Sequence, residues 1–148
     1  MELEEKVKDG QTLSPRKEVE LLKLGNLSLF EIYAANYPMS KYAEIELVKQ
    51  GKPEWIKPYI KRYSFCEDAE IELVKSGDSE LIVLYMDRHL LAESAVIELV
   101  KSGNADGISA YIIKRPLERK AREELVDLGN RDLIALHIAN HPDVSLPL

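Results

Sequence analysis

One phrase recurs along this chain at an interval of 26 residues. It reads EVELLKLGN from residue 18, EIELVKQGK from 44, EIELVKSGD from 70, VIELVKSGN from 96 and REELVDLGN from 122. Self-similarity at a fixed period of about 20 to 50 residues is typical of solenoids and related arrays. We number the positions of each repeat from 1 to 26, starting at Glu18, Glu44, Glu70, Val96 and Arg122.

Positions 8 and 9 predict a tight joint between two helices. Position 9 is Asn, Asp or, once, Lys, and an Asn or Asp side chain can accept a hydrogen bond from the first turn of a helix. Glycine after a periodic apolar run favours a helix end, because the residue past the last turn commonly has a left-handed backbone. Position 8 is glycine in all five repeats: Gly25, Gly51, Gly77, Gly103 and Gly129.

The apolar spacing predicts that each repeat is a helical hairpin. Positions 12, 13, 16 and 17 are mostly apolar or aromatic, and positions 26, 2, 4 and 5 are mostly small or aliphatic. Each set lies on one face of an α-helix. Helix A should run from about position 23 to 7, and helix B from about 9 to 20. Residues 1–10 read as a lone helix B within an N-terminal cap.

These patterns predict an all-α fold, namely a right-handed α-α superhelix (solenoid) of five helical hairpins plus an N-terminal capping helix. One short hairpin cannot bury both of its faces, whereas stacked hairpins form a continuous core. We expect a single helical-repeat domain over residues 1–148. It consists of the cap at 1–17 and repeats at 18–43, 44–69, 70–95, 96–121 and 122–147.

Composition limits the classes of function. A hydrophobic content of 45% is ample for a packed core, and no apolar run approaches the roughly 18 residues of a membrane span. The net charge of −6 weighs against general nucleic-acid binding. The charged start, MELEEKVKDG, is unlike a signal peptide, and the single cysteine cannot form an internal disulfide. We therefore expect a reducing, cytoplasmic location and no membrane partner.

The pattern A-E-I-E-L-V-K-S-G-D/N-x-E/D-L-I-x-x-Y-I is clearest over residues 69–86. It resembles the two-helix repeats of HEAT-like α-helical solenoids. Over residues 18–147 the chain is most similar to the short repeats of uncharacterised repeat proteins from Bacteroides-type bacteria. This resemblance implies macromolecular binding and carries over no catalytic residue.

The residue types of catalytic and metal sites are present, but not in a reactive arrangement. His89, His137 and His141 lack the accompanying Cys or carboxylate spacing of a zinc site. Cys66 sits near the start of a helix A, where Ser40 and Ala92 are its equivalents. We expect no catalytic site, no metal and no cofactor.

Two columns of helix B are candidates for contact with a partner. Its C-terminal end is basic and aromatic, which suits an acidic or phosphorylated protein segment, although the helix dipole alone also favours cations there. Positions 14 and 18 become apolar toward the C-terminus, as in a dry contact patch. The predicted partner-binding residues are Arg62, Tyr63, Arg88, His89, Lys114 and Arg115, and the alternative apolar face is Val83, Ile113 and Ala139.

The function predicted from the sequence is a non-enzymatic helical-repeat scaffold that binds a protein or peptide partner, with an acidic partner if the basic column is the site. One alternative is a homo-oligomerising structural protein that associates through the apolar face. A nucleic-acid-processing solenoid is the less favoured alternative, because the net charge is −6.

Overall fold

The structure is a computed structural model that describes residues 2–148. This part of the chain contains eleven α-helices and no β-strand, so the all-α prediction is confirmed. The helices are α1 Glu2–Lys8, α2 Pro15–Leu24, α3 Leu27–Asn36, α4 Lys41–Gln50, α5 Pro53–Arg62, α6 Glu67–Ser76, α7 Ser79–Arg88, α8 Glu93–Ser102, α9 Ala105–Lys114, α10 Arg119–Leu128 and α11 Arg131–Asn140.

The helices α2 to α11 follow the repeat without a slip. Each is 10 residues long, and each begins 26 residues after its equivalent in the preceding repeat. The even-numbered helices from α2 to α10 are the helices A, and the odd-numbered helices from α3 to α11 are the helices B. The prediction of five A–B hairpins is confirmed, although both helices begin one residue later than predicted.

Left-handed glycines end the helices A, as predicted. Gly25, Gly51, Gly77, Gly103 and Gly129 all have φ between 65° and 78°. The side chain at position 9 then caps helix B: the Asn26 Oδ1 accepts from the Leu29 N–H at 3.1 Å, and Asp78 caps Leu81 in the same way. Lys52 makes no side-chain cap, and the Pro53 that follows it has no N–H to satisfy.

The described residues divide into two compact units, one ending at Glu72 and the other running from Leu73 to Leu148. In the first, α2 packs on α4 and α1 packs on α3; in the second, α8 packs on α10, and α9 packs on both α7 and α11. Contacts between helices two apart in the chain are those of stacked hairpins. Because α1 packs on a helix B and buries Leu3 and Val7, it is itself the predicted lone helix B.

Both helices of each hairpin supply the core. In the first compact unit Leu21 and Leu22 are fully buried, and Phe30 stacks on Trp55 with ring centroids 4.9 Å apart. In the second, Ile108 and Ile112 are fully buried. Full burial of such a side chain stabilises the fold by about 1.5–3 kcal/mol. Between residues 2 and 148, no helix combines the length and apolar character needed to cross a membrane.

Candidate functional site

Position 1 carries a buried carboxylate in the first three repeats. Glu18, Glu44 and Glu70 are only 4–5% exposed. Burial of a carboxylate is unfavourable unless its oxygens accept hydrogen bonds. In repeat 1 the Tyr33 hydroxyl donates to the Glu18 Oε2 at 2.7 Å, and the Ser40 N–H donates to the Oε1 at 2.8 Å. Each oxygen of Glu18 therefore has its own donor.

Repeat 2 forms the same contacts at the same positions. The Tyr59 hydroxyl donates to the Glu44 Oε2 at 2.5 Å, and the Cys66 N–H donates to the Oε1 at 2.7 Å. The Tyr59 hydroxyl also accepts a hydrogen bond from the Met39 N–H at 2.9 Å. We call this set, which joins positions 1 and 16 to the backbone at positions 22 and 23, the Glu–Tyr network.

Burial raises the pKa values of the ionisable side chains in and beside the network. It raises the pKa of Glu44, while hydrogen bonds from Tyr59 and Cys66 act in the opposite direction. Burial and the hydrogen bond to Glu44 also raise the pKa of Tyr59, so its hydroxyl remains a donor at neutral pH. Burial likewise raises the pKa of the Cys66 thiol, which removes the thiolate character that a nucleophilic cysteine needs.

The network is interrupted in repeat 4. Position 1 is Val96, which has no carboxylate, whereas Tyr111 still occupies position 16. Tyr111 is only 7% exposed, yet within residues 2–148 its hydroxyl makes no hydrogen bond. The Glu118 N–H corresponds to those of Ser40 and Cys66, and it too has no acceptor in the described part of the chain.

A cavity of about 370 Å³ lies beside Val96. We call it the Val96 cavity. The end of α9, the start of α10 and the C-terminal segment all contribute to its wall. The lining residues are Leu90, Leu91, Glu93, Val96, Tyr111, Arg115, Pro116, Leu117, Glu118, Ala121, Arg122 and Val144. The two donors that lack a carboxylate therefore belong to residues of one cavity wall.

Two arginines and two glutamates line the Val96 cavity, and the segment that supplies both arginines is basic. Residues 115–122 contain four basic side chains and one acidic side chain, a local charge of +3, whereas the whole chain has −6. Burial raises the pKa of Tyr111, against the opposing effect of Arg115, so its hydroxyl is a neutral donor at physiological pH. Arg122 is half-buried and donates from Nη1 to the Leu117 carbonyl at 2.8 Å.

Repeat 5 replaces both members of the Glu–Tyr pair. Position 1 is Arg122, and position 16 is His137, which is completely buried. The His137 Nε2 accepts from the Leu117 N–H at 3.1 Å, and its Nδ1 is buried without a partner among residues 2–148. Burial, followed by His141 and Arg122, lowers the pKa of His137. In the described residues no group of three or more His, Cys, Asp or Glu side chains is arranged to hold a metal ion.

Two residues of the predicted basic column, Arg62 and Tyr63, donate hydrogen bonds to backbone carbonyls. The Arg62 Nη1 donates to the Ala35 carbonyl at 2.7 Å, and the Tyr63 hydroxyl donates to the Ala34 carbonyl at 2.6 Å. These carbonyls lie at the C-terminal end of the preceding helix B, where four carbonyls have no intrahelical partner. The sequence reasoning offered the dipole of the same helix as a structural cause of the charge, and it did not predict these bonds to the preceding helix B.

The remaining residues of the column differ in their surroundings. The Lys114 ammonium contacts the Met86 carbonyl at 3.3 Å and pairs with Asp87. Arg88 is exposed. His89 is half-buried, and its ring packs against that of Tyr85. Arg115 is exposed and borders the Val96 cavity. The column as a partner-binding site stays a prediction.

The alternative apolar face lies on helices of the second compact unit. Val83 on α7 is half-buried, Ile113 on α9 is 61% exposed, and Ala139 on α11 is exposed. Since α9 packs on both α7 and α11, the three residues lie on neighbouring helices. A role for this face in association stays a prediction as well.

The Glu–Tyr network was missed by the sequence reasoning, although a signal for it exists. Glu at position 1 and Tyr at position 16 recur 15 residues apart in three successive repeats. Repeat 4 changes the first residue of the pair, and repeat 5 changes both. Repeats 4 and 5, in which these changes fall, line the Val96 cavity together with the end of repeat 3.

The packing and these contacts define an all-α helical-repeat protein. Comparison of the chain with known proteins finds no matching family model, no matching curated protein and no matching solved structure.

Proposed function

We propose that this protein is a non-enzymatic, cytoplasmic helical-repeat scaffold that binds a protein or peptide partner bearing acidic residues. The observation that carries the proposal is the Val96 cavity, which combines two hydrogen-bond donors that have no acceptor in residues 2–148 with a basic segment at residues 115–122. Stacked hairpins commonly use their extended surfaces for macromolecular binding. The resemblance of the repeat pattern to HEAT-like and Bacteroides-type repeats supports the same role.

The distribution of polar contacts also supports a binding site near the C-terminal repeats. In repeats 1 and 2 the Glu–Tyr network satisfies its own donors and acceptors. In repeat 4 the equivalent donors, the Tyr111 hydroxyl and the Glu118 N–H, have no acceptor among the described residues. These donors are available to water or to an acceptor that a partner supplies, and a carboxylate is a strong acceptor for both.

The test begins with an unbiased search for the partner. The protein is immobilised, extract of the source cell is passed over it, and captured proteins are identified by mass spectrometry. The partner is then purified and titrated by calorimetry at two salt concentrations. We expect weaker affinity at the higher one, because salt screens exposed charge pairs over about 10 Å. Affinity that is independent of salt would contradict an acidic partner.

Charge reversal then locates the binding surface. Arg88→Glu with Lys114→Glu tests the basic column, and Arg115→Glu tests the segment beside the cavity. Lys49→Glu with Lys75→Glu is the matched control, since both lysines are exposed. We expect Arg115→Glu to weaken binding and the control to retain it. Equal loss in all variants would indicate a nonspecific charge effect.

Self-association is a second candidate, favoured by the 61% exposure of Ile113 in the middle of the apolar face. Exposed apolar patches commonly mark interfaces. Sedimentation velocity over a range of protein concentrations would detect a dimer, and Ile113→Glu should abolish it. A species of constant monomer mass at all concentrations would exclude this candidate.

A further inference from the structure

We infer that the Val96 cavity is a carboxylate-binding site, which takes an acidic side chain of the partner in the place that a glutamate occupies in other repeats. The inference deepens the proposed function, on which it depends for the source of the carboxylate. The chain itself provides the template, because Glu18 and Glu44 show how a carboxylate is held at this repeat position.

The donors required for a carboxylate are present in the cavity wall. In repeat 2 a tyrosine hydroxyl binds one carboxylate oxygen, and the N–H at position 23 binds the other. Repeat 4 has both donors, in Tyr111 and Glu118, and a valine in place of the carboxylate. Within residues 2–148 the Leu91 N–H also makes no bond to Tyr111 like that of Met39 to Tyr59. The Tyr111 side chain is more than nine-tenths buried and lines the cavity, and its hydroxyl has no partner in residues 2–148.

The size of the cavity suits a side chain brought from outside. Its volume of about 370 Å³ exceeds that of a single carboxylate, so a methylene chain and part of the attached backbone can also enter. Val96 is 3% exposed, and the glutamates at the same repeat position are buried to a similar extent. The Val96 side chain lines the cavity and is shorter than that of a glutamate.

The arrangement of the two donors favours a carboxylate over a phosphate. Arg115 and Arg122 line the cavity and attract an anion. Glu93 and Glu118 line it as well, and both are exposed. Because the lining charges are two positive and two negative, they do not by themselves distinguish a monoanion from a dianion. A planar group with two oxygens matches two separate donors, as it does in repeats 1 and 2.

The site can be tested without knowledge of the partner. Propionate reproduces the end of a glutamate side chain, propionamide is its neutral analogue, and inorganic phosphate is the competing anion. Each is titrated into isotopically labelled protein while the Glu118 amide resonance is followed by NMR. We expect a saturable shift with propionate, a much smaller shift with propionamide and weaker binding of phosphate. Equal responses to propionate and propionamide would overturn the inference.

Three variants locate the bound carboxylate. Val96→Glu supplies a carboxylate from the chain itself, so the Glu118 amide should already be shifted and propionate should no longer move it. Tyr111→Phe removes one donor and should weaken propionate binding about tenfold. Val96→Ala is the control, because it keeps both donors and should still bind. Unchanged propionate affinity in Tyr111→Phe would overturn the site even if Val96→Glu fails to fold.

Binding of the isolated partner to the Val96 variants distinguishes failure of this inference from failure of the proposed function. Loss of partner binding in Val96→Glu, with retention in Val96→Ala, supports the docking of an acidic side chain in the cavity. A partner that binds Val96→Glu with unchanged affinity overturns that docking and leaves the scaffold function intact. If no partner is captured, the scaffold function fails, and the propionate titration still decides whether the cavity binds a carboxylate.

Discussion

The Tyr59 hydroxyl lies 2.5 Å from the Glu44 Oε2 and donates a hydrogen bond to it in the interior of the protein. Glu44 lies on helix α4 and Tyr59 on helix α5, so the bond joins the two helices of one hairpin. The same hydroxyl accepts from the Met39 N–H, in the segment that precedes the hairpin. One tyrosine therefore connects three parts of the chain.

Tyr59→Phe should destabilise the protein by about 1–3 kcal/mol. The substitution leaves the buried Glu44 carboxylate short of one donor and the Met39 N–H without an acceptor. Urea unfolding followed by circular dichroism would measure the loss. The control is Tyr111→Phe, because Tyr111 holds the same repeat position without a hydrogen-bonded hydroxyl in the described structure. Equal losses in both variants would assign the effect to ring packing.

Glu44→Gln should change how stability depends on pH. Burial raises the pKa of Glu44 above its usual 4.5. Its contribution is therefore full below the unfolded pKa and lost as pH rises through the folded pKa. Because glutamine does not titrate, the wild type should lose stability relative to the variant as pH rises above 4.5. Urea unfolding at several pH values measures this difference.

Glu54→Gln is the control for Glu44→Gln, because Glu54 is exposed. The difference in unfolding free energy between Glu54→Gln and the wild type should change much less with pH. A wild type that gains stability relative to Glu44→Gln as pH rises would contradict the prediction. It would mean that the hydrogen bonds from Tyr59 and Cys66 outweigh the desolvation of the carboxylate.

His137 should make the protein less stable in weak acid. Burial, His141 and Arg122 lower its pKa from 6.5. Stability from neutral His137 is complete above the unfolded pKa and is lost as pH falls toward the folded pKa. His137→Tyr removes the titration and can still accept from the Leu117 N–H, as Tyr33 accepts from Leu13.

The measurement for His137 is the difference in unfolding free energy between wild type and His137→Tyr from about pH 7 to 5. We expect the unfolding free energy of the wild type to fall relative to that of His137→Tyr as pH falls. An NMR titration of the imidazole gives the folded pKa directly. A midpoint at or above 6.5 would show that the neutral form is not favoured in the folded state.

Gly77→Val should destabilise the protein by at least about 1 kcal/mol. Gly77 has a φ of 73°, where a β-branched residue is strained. A Cβ at this position meets no atom within 4 Å, so backbone strain and not a clash is responsible. The exposed Lys75→Ala is the control and should change the denaturation midpoint little. An unchanged midpoint in Gly77→Val would contradict the left-handed joint.

The end of helix B shows why part of the site was beyond sequence reasoning. The basic and aromatic character of Arg62 and Tyr63 is visible in the sequence, and it predicted a surface for a partner. The structure shows that both side chains donate to carbonyls near the end of helix α3. Those carbonyls are within reach only because successive hairpins stack, so the contact depends on tertiary packing.

The sequence by itself determined the 26-residue period, the two helices of each repeat and the joint between them. These features are local, because glycine permits a left-handed backbone and apolar spacing selects the buried face of a helix. The tertiary structure decided which polar atoms meet. Glu44 and Cys66 are 22 residues apart, and only hairpin packing brings the N–H to the carboxylate. It also decided that a cavity lies beside Val96, because helix packing brings Val96, Tyr111 and Glu118 around one space although they are far apart in the sequence.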